Sequence, residues 1–305
     1  MDELLERLIE SNRHYTTAGK LANYIPELAK ANQNELGIYV VSSDGRTSFA
    51  GDCQKNFTIQ SIIKPILLLL ALMDNGEEMV RSHVGVEATG KPFDAINYTD
   101  QTLLSEHLNP MVNMGAILLC TLIKGQSYSE KFERLLELTR TLAGNPDITV
   151  NEAVYQSEKR TGSRNRALAF LLKSQGLLSD DVEEVLDCYF RGCSIQVNCK
   201  DLANIGFTFA NRGRRPVSEE RVFSARFAHY VNAVLMTCGM YDGAGDFAVR
   251  VGLPAKSGVG GGIMAISPTR MGIGIYSPGL DQKGNSLAGI HVLEDLSRTL
   301  YLSVF

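Results

Sequence analysis

No apolar run in this 305-residue sequence is longer than the eight residues Ile66 to Met73, far short of the ~20 needed to span a bilayer. A membrane-embedded protein is therefore not expected. Lys and Arg form no block and the formal net charge is only −4, so nucleic acid and anionic membrane surfaces are not expected partners. The six cysteines, Cys53, Cys120, Cys188, Cys193, Cys199 and Cys238, contain no C-x-x-C pair, which leaves a zinc ribbon or redox motif without support. The start, Met1-Asp2-Glu3-Leu4, is acidic where a secretory signal would be basic. A chain of this length can bury a core without disulfide staples, and the expectation is a cytoplasmic protein with free thiols. There is no H-E-x-x-H and no G-x-S-x-G, and the five histidines, His14, His83, His107, His229 and His291, are scattered. Nothing supports a metal site or a histidine-based triad. G-x-x-x-x-G-K-[ST] is missing as well, and no cofactor is expected.

What is present, 44% hydrophobic and 21% charged residues, is the composition of an ordinary globular chain. Residues 2–30 carry helical periodicity. Gly37 to Val41 and Arg46 to Ala50 then flank Asp44-Gly45, a hairpin signal. Thr58-Ile-Gln-Ser61-Ile-Ile-Lys64-Pro65 reads as a loop entering a buried helix, with Pro65 near its N-terminus, where backbone N–H groups lack partners anyway. From about 76 to 250 the pattern gives helices and no convincing strand; the helical stretches are 101–123, 126–142, 150–161, 164–174, 179–190, 199–211 and 219–239. Strand character returns over Gly260 to Ser267 and Met271 to Ser277. A last helix from about Asn285 carries Ile290, Leu293, Leu296 and Leu300 on one stripe. This order predicts an α+β fold with one antiparallel sheet built from both chain ends. The terminal helices cover one of its faces and a large central helical region covers the other. One catalytic domain over 1–305 is expected, with a sheet-containing lobe (about 1–60 and 250–305) and a helical lobe (about 61–249).

The sharpest chemical signal is S-x-x-K at Ser61 and Lys64. Residues three apart on a helix share a face. A serine hydroxyl needs a base before it attacks anything at neutral pH, and a lysine serves as that base when burial lowers its pKa. The neighbours Ile62, Ile63 and Ile66 suit such desolvation. S-x-x-K also arises by chance, as a cap serine beside a solvated lysine. Lys256-Ser257-Gly258 strengthens the reading, because serine enzymes with an S-x-x-K helix place a K-[ST]-G triad on a strand facing the nucleophile. The run Gly258-Val-Gly-Gly-Gly262 suits close backbone approach and the presentation of N–H groups to an oxyanion; a flexible edge strand is the plainer reading. In Gln156 to Ala167, Gly162 ends one helix and Ser163 caps the next, with Glu158 and Asn165 flanking the junction. From chemistry alone a solvated helix end is the favoured reading there, and recognition of an amino-acid head group is the alternative. Tyr189 and Tyr241 are candidates for proton relay or simple core residues. Asn109-Pro-Met-Val-Asn113 is by itself a turn signal.

Taken in series, these segments resemble the bacterial-type, serine-dependent glutaminases of β-lactamase/transpeptidase-like fold. The matching pieces are Asn23-Tyr24-Ile-Pro, Gln60-Ser61-Ile-Ile-Lys64, Asn109-Pro-Met-Val-Asn113-Met-Gly115, Ser157-Glu158 to Asn165-Arg-Ala, Asp187-Cys-Tyr189 to Ile195, Thr237-Cys-Gly-Met-Tyr241-Asp, and Leu253-Pro-Ala-Lys256 to Gly262. They span nearly the whole chain in one order. The resemblance implies hydrolysis of L-glutamine to L-glutamate and ammonia through a Ser61 glutamyl-enzyme. Lys64 takes the hydroxyl proton, and Tyr24 and Tyr241 stand at the site, Tyr241 sharing the proton transfer. The N–H groups of Ser61 and Val259 form the oxyanion hole, and Asn113, Glu158, Asn165 and Tyr189 hold the α-amino and α-carboxylate groups. No cofactor is implied, and a homo-oligomer, dimer or tetramer, is. The chain departs from the family pattern at Ile63, Pro65, Met114, Ser163 and Ala88-Thr-Gly90, none of them a named catalytic group. Two other readings stay open: a penicillin-recognising serine hydrolase, and a non-catalytic amino-acid-binding protein on the same fold.

Overall fold

The computed structural model describes residues 1–88, 90, 94–95, 108–216, 218 and 220–305. Helix α1 (Asp2–Asn12) is followed by strands β1 (Gly37–Ser42), β2 (Thr47–Gly51) and β3 (Phe57–Thr58), and by helices α2 (Lys64–Arg81) and α3 (Asn113–Leu122). Then come α4 (Tyr128–Ala143), α5 (Glu152–Thr161), α6 (Ser163–Ser174), α7 (Val182–Cys193), strand β4 (Gln196–Val197), α8 (Cys199–Ala210), α9 (Ala225–Cys238) and α10 (Ala244–Arg250). The chain closes with β5 (Ala255–Ser257), β6 (Gly262–Ser267), β7 (Met271–Tyr276) and α11 (Leu287–Leu300). No helix among the described residues is long and apolar enough to cross a membrane.

Five strands form an antiparallel sheet in the order β2-β1-β7-β6-β5, so the N-terminal hairpin pairs directly with the C-terminal one through β1 and β7. Side-chain alternation along a strand assigns its two faces. In β7, Ile273 and Ile275 join Ile38, Val40, Ile263 and residues of α1 and α11 in one buried cluster. Gly272 and Gly274 point the other way, toward α8. A Cβ on Gly272 would lie 2.1 Å from the Ala203 carbonyl oxygen, and one on Gly274 2.1 Å from that of Cys199. The glycines let the helix rest on the sheet backbone itself. Behind α8 the central helices enclose the larger core, in which Ile62, Leu67, Ile117, Leu135 and Leu186 meet. The terminal helices therefore cover one face and the helical middle the other, as the pattern of the chain implies.

Several boundaries differ from the sequence-based expectation. The helix expected over 2–30 stops at Asn12; single 3-10 turns follow at Arg13–Thr17 and Leu28–Lys30. The chain leaves the helix because Lys20 bridges to Leu280, with Gly19 packed on Gly279, so pairing with the C-terminal segment overrides local periodicity. In the stretch 101–123 the helix occupies Asn113–Leu122, Pro110 sits in the preceding turn, and 101–107 lie outside the described residues. The stretch 219–239 narrows to Ala225–Cys238, where Ser224 caps the helix by accepting from the Phe227 N–H; Glu219 lies outside the described residues. Ser163 does not cap α6: Gly162 occupies the cap position, Ser163 is the first helical residue, and no side-chain cap bond forms. The middle of the chain does hold a strand, the two-residue β4, which pairs with β3. The late hairpin gains a third strand, β5, which carries Lys256.

The contact between β7 and α8 leaves no room for a methyl group. Gly272→Ala is expected to destabilise the protein by about 3 kcal/mol, at the upper end of ordinary overpacking, or ~5–10 °C in melting midpoint, read by a thermal unfolding scan. An unchanged midpoint would show that α8 can lift from the sheet freely.

Candidate active site

Ser61 is presented by a tight turn. The Ile59 N–H donates to the Ile195 carbonyl at 2.8 Å, and Gln60 adopts φ +49°, in the left-handed region. Such a backbone is rare outside glycine and persists where its surroundings over-determine it. A 3-10 turn over Gln60–Ile63 then feeds α2, whose first residue is Lys64 and whose first turn holds Pro65. Ser61 is 7% exposed and Lys64 fully buried. The Lys64 amine donates to the side-chain oxygen of Asn113 at 2.7 Å and to the Met111 carbonyl at 3.3 Å. Burial pushes its pKa down to about 8, because an ammonium loses its hydration there.

Asn113, the first residue of α3, joins several of the groups named above. Its oxygen also accepts from the Tyr189 hydroxyl at 3.3 Å, and its amide donates to Asn165 Oδ1 at 2.9 Å. Tyr189 projects from α7 and Asn165 from α6, so three helices are fixed to one amide. Burial raises the Tyr189 phenol well above its usual range. Glu158, near the C-terminal end of α5, is buried too. It accepts from the Ser194 hydroxyl at 3.4 Å. Burial lifts its carboxyl to about 8, with hydrogen bonds from Ser194 and Gln60 and the charge of Lys64 pulling the other way. The reading of Glu158 as a solvated helix end is thus overturned: the helix end is covered, and the carboxylate faces inward.

Tyr24, Ser61, Asn113, Glu158, Asn165, Tyr189 and Val259 line one pocket, together with Gln60, Asp94, Thr161, Arg164 and Cys193. Lys64 does not line it but lies beneath, one turn beyond Ser61. Tyr24 sits at the rim, 53% exposed as a residue. Its hydroxyl end enters the protein, where burial, Tyr241 and Glu158 hold the phenol well above the ordinary range. Arg164 and Asp94 form an ion pair at 2.8 Å beside the pocket. Tyr241, at φ +57° just past α9, donates to the Ser257 carbonyl at 3.1 Å. Burial raises its phenol, and a hydrogen bond with the Ser61 hydroxyl works against that rise.

The Gly258–Gly262 run approaches the nucleophile turn edge-on. A Cβ on Gly258 would stand 2.7 Å from the Ile59 carbonyl oxygen and one on Gly260 2.7 Å from that of Thr58. Ser61 and Val259 line the same pocket. Neither the Ser61 nor the Val259 N–H is a donor in the turn and loop backbone hydrogen bonds of the described residues. Two such donors beside a buried hydroxyl are the parts an acyl-transfer site uses to hold an oxyanion. Gln60, Cys193 and Ser194 belong to the site but were not singled out from sequence; only Gln60's place before the nucleophile could have signalled one of them.

A family model described as "Glutaminase" matches residues 19–305. Over all 305 residues the chain is 55% identical to a Clostridium perfringens protein named glutaminase 2, with both chains covered in full. It is 53% identical to a glutaminase of Clostridium tetani, again over the full length of both. Among solved structures, the Bacillus subtilis glutaminase YbgJ in covalent complex with 5-oxo-L-norleucine superposes with a TM-score of 0.91 at 38% identity, covering 100% of this chain and 99% of that one. The sheet from both chain ends, its helical flanks and this likeness agree with the β-lactamase-like α+β architecture expected from the sequence, and the chain belongs to the glutaminase family.

Proposed function

We propose that the protein hydrolyses the side-chain amide of L-glutamine, releasing ammonia and L-glutamate, with Ser61 as nucleophile. One observation carries this reading: a buried carboxylate, Glu158, lies in the same pocket as a buried serine whose neighbour one turn on is a desolvated lysine. The covalent complex of the Bacillus subtilis relative with 5-oxo-L-norleucine supports it from outside this chain. Lys64 takes the hydroxyl proton as Ser61 Oγ attacks the amide carbon. The N–H groups of Ser61 and Val259 hold the resulting oxyanion. Tyr241, hydrogen-bonded to Ser61, gives its proton to the departing nitrogen, the C–N bond breaks, and ammonia leaves behind a glutamyl ester. Water then attacks the ester carbonyl and passes its proton to the Tyr241 phenolate, the ester C–O bond breaks, Ser61 recovers its proton from Lys64, and glutamate departs.

Glu158 receives the α-ammonium of the substrate, and Asn113, Asn165, Tyr189 and the Tyr24 hydroxyl fix the α-carboxylate and the rim. An anion reserved for one ammonium rejects amides that lack it. The same reading takes the protein to be cytoplasmic and a homo-oligomer, dimer or tetramer. The first is supported by six buried cysteines, all free, and the second by the family resemblance.

Ser61→Ala is expected to lower ammonia release from glutamine by at least about 10³-fold, the scale on which removing an activated nucleophile acts, in a coupled ammonia assay. Equal rates in the two proteins would end the nucleophile assignment. The pH dependence has a definite sign. Lys64 is a base only when neutral and Glu158 pairs an ammonium only when ionised, and both have pKa values near 8. The value of kcat/KM should therefore rise through about pH 8 and fall away below it; a profile flat from pH 6 to 9 would contradict this. Glu158→Gln, which keeps the shape and removes the charge, should raise KM for glutamine by about 10²-fold with a smaller effect on kcat. Unchanged KM would remove Glu158 from substrate recognition.

A further inference from the structure

A second lysine is as deeply buried as Lys64, and the reaction above gives it no part. Lys256 projects from β5 with no exposed surface. Its amine donates to the Ser257 carbonyl at 2.7 Å and lies 4.1 Å from the centroid of the Tyr241 ring. The hydroxyl of that ring donates to the same carbonyl at 3.1 Å. The backbones are tied as well: the Ser257 N–H donates to the Gly239 carbonyl at 3.3 Å, joining β5 to the turn that carries Tyr241.

We propose that Lys256 is a positioning residue for Tyr241: its amine caps the face of the phenol ring and shares the Ser257 carbonyl with the phenol hydroxyl, which fixes that hydroxyl beside Ser61. The proposal rests on the reading of Tyr241 as proton donor and deepens it. A carbonyl oxygen has two acceptor sites, and here each meets one donor. When Tyr241 turns its O–H toward the departing nitrogen, the buried carbonyl keeps the Lys256 donor and is not left unsatisfied, a state that would resist the movement. The phenolate formed as the proton leaves also finds an N–H donor already against its ring, at a place from which water is excluded. Burial, reinforced by the charge of Lys64, holds the Lys256 amine well below its usual range. Tyr241 itself keeps a left-handed backbone, a conformation that needs such external restraint.

The test is a double-mutant cycle on the full chain, with kcat and KM for glutamine measured for wild type, Lys256→Met, Tyr241→Phe and the double variant. Lys256→Met is expected to lower kcat by about 10²-fold, the scale of a misplaced catalytic group, with KM within about threefold. The double variant should be no slower than Tyr241→Phe alone, because the lysine acts only through the phenol. Losses that multiply in the double variant, or a raised KM with kcat unchanged, overturn the proposal while leaving the role of Tyr241 intact. Full activity of Tyr241→Phe overturns both. Lys256→Leu, which likewise removes the donor, replaces the methionine variant if melting shows the latter unfolded. If neither folds while Tyr241→Phe does, the lysine is structural and the proposal fails.

Discussion

Lys64 lies in the interior with its amine bonded to Asn113 and to the Met111 carbonyl, and the elements around it are arranged as that burial demands. An amine moved from water into a protein core loses several kcal/mol of hydration, so its partners must be present and held. The oxygen of Asn113 supplies one partner, and Asn113 is in turn held by Tyr189 from α7 and Asn165 from α6. The four helices α2, α3, α6 and α7 are thus constrained at one point. The wall of the pocket is what lies around that point: Asn113, which stabilises the lysine, and Asn165, which holds Asn113, both line it. In the proposed chemistry, structural support and substrate recognition share the same residues.

Among the described residues of the site, two non-glycine residues, Gln60 and Tyr241, are left-handed, and both belong to the proposed chemistry or adjoin a reacting group. They belong to different segments and meet across the Ser61 hydroxyl. Close packing of glycines at 258 and 260 against the Thr58 and Ile59 carbonyls prevents the nucleophile turn from relaxing toward β5. The site is therefore rigid on its catalytic side, where distances decide rates.

The parts that could be read from the chain are those set by local geometry. Ser61 and Lys64 share a helical face because of their spacing alone, and the Gly-Ile-Gly-Ile run of β7 announces a strand with one narrow and one apolar face. From its residue type and position alone Glu158 favoured a solvated helix end, with head-group recognition as the alternative until the family resemblance chose it, since its partners Ser194 and Gln60 are distant in sequence and brought together by the fold. Val259 contributes a backbone N–H, a group every non-proline residue has, so no residue type could mark it; the family resemblance did. The strands β4 and β5 are two and three residues long, too short for any periodicity, and are created by the neighbours they pair with. Residues 13–30 failed as a helix for the matching reason, the bridge from Lys20 to Leu280.

The pairing of β1 with β7, Gly37 against Tyr276 and Ser42 against Met271, has a consequence for the order of events during synthesis. Strand β1 cannot find this partner until β7 has been made, because more than two hundred residues separate them. Closing so long a loop is entropically slow. Until then the apolar face of the first hairpin, with Ile38 and Val40, has only α1 to cover it, while the helices between can already pack on one another through local contacts. The nascent chain thus passes through a stage with a formed helical body and an unpaired strand edge, the species most open to association with other chains. Arrival of β5 to β7 ends that exposure and brings Tyr241, Val259 and Ser61 together in the same event.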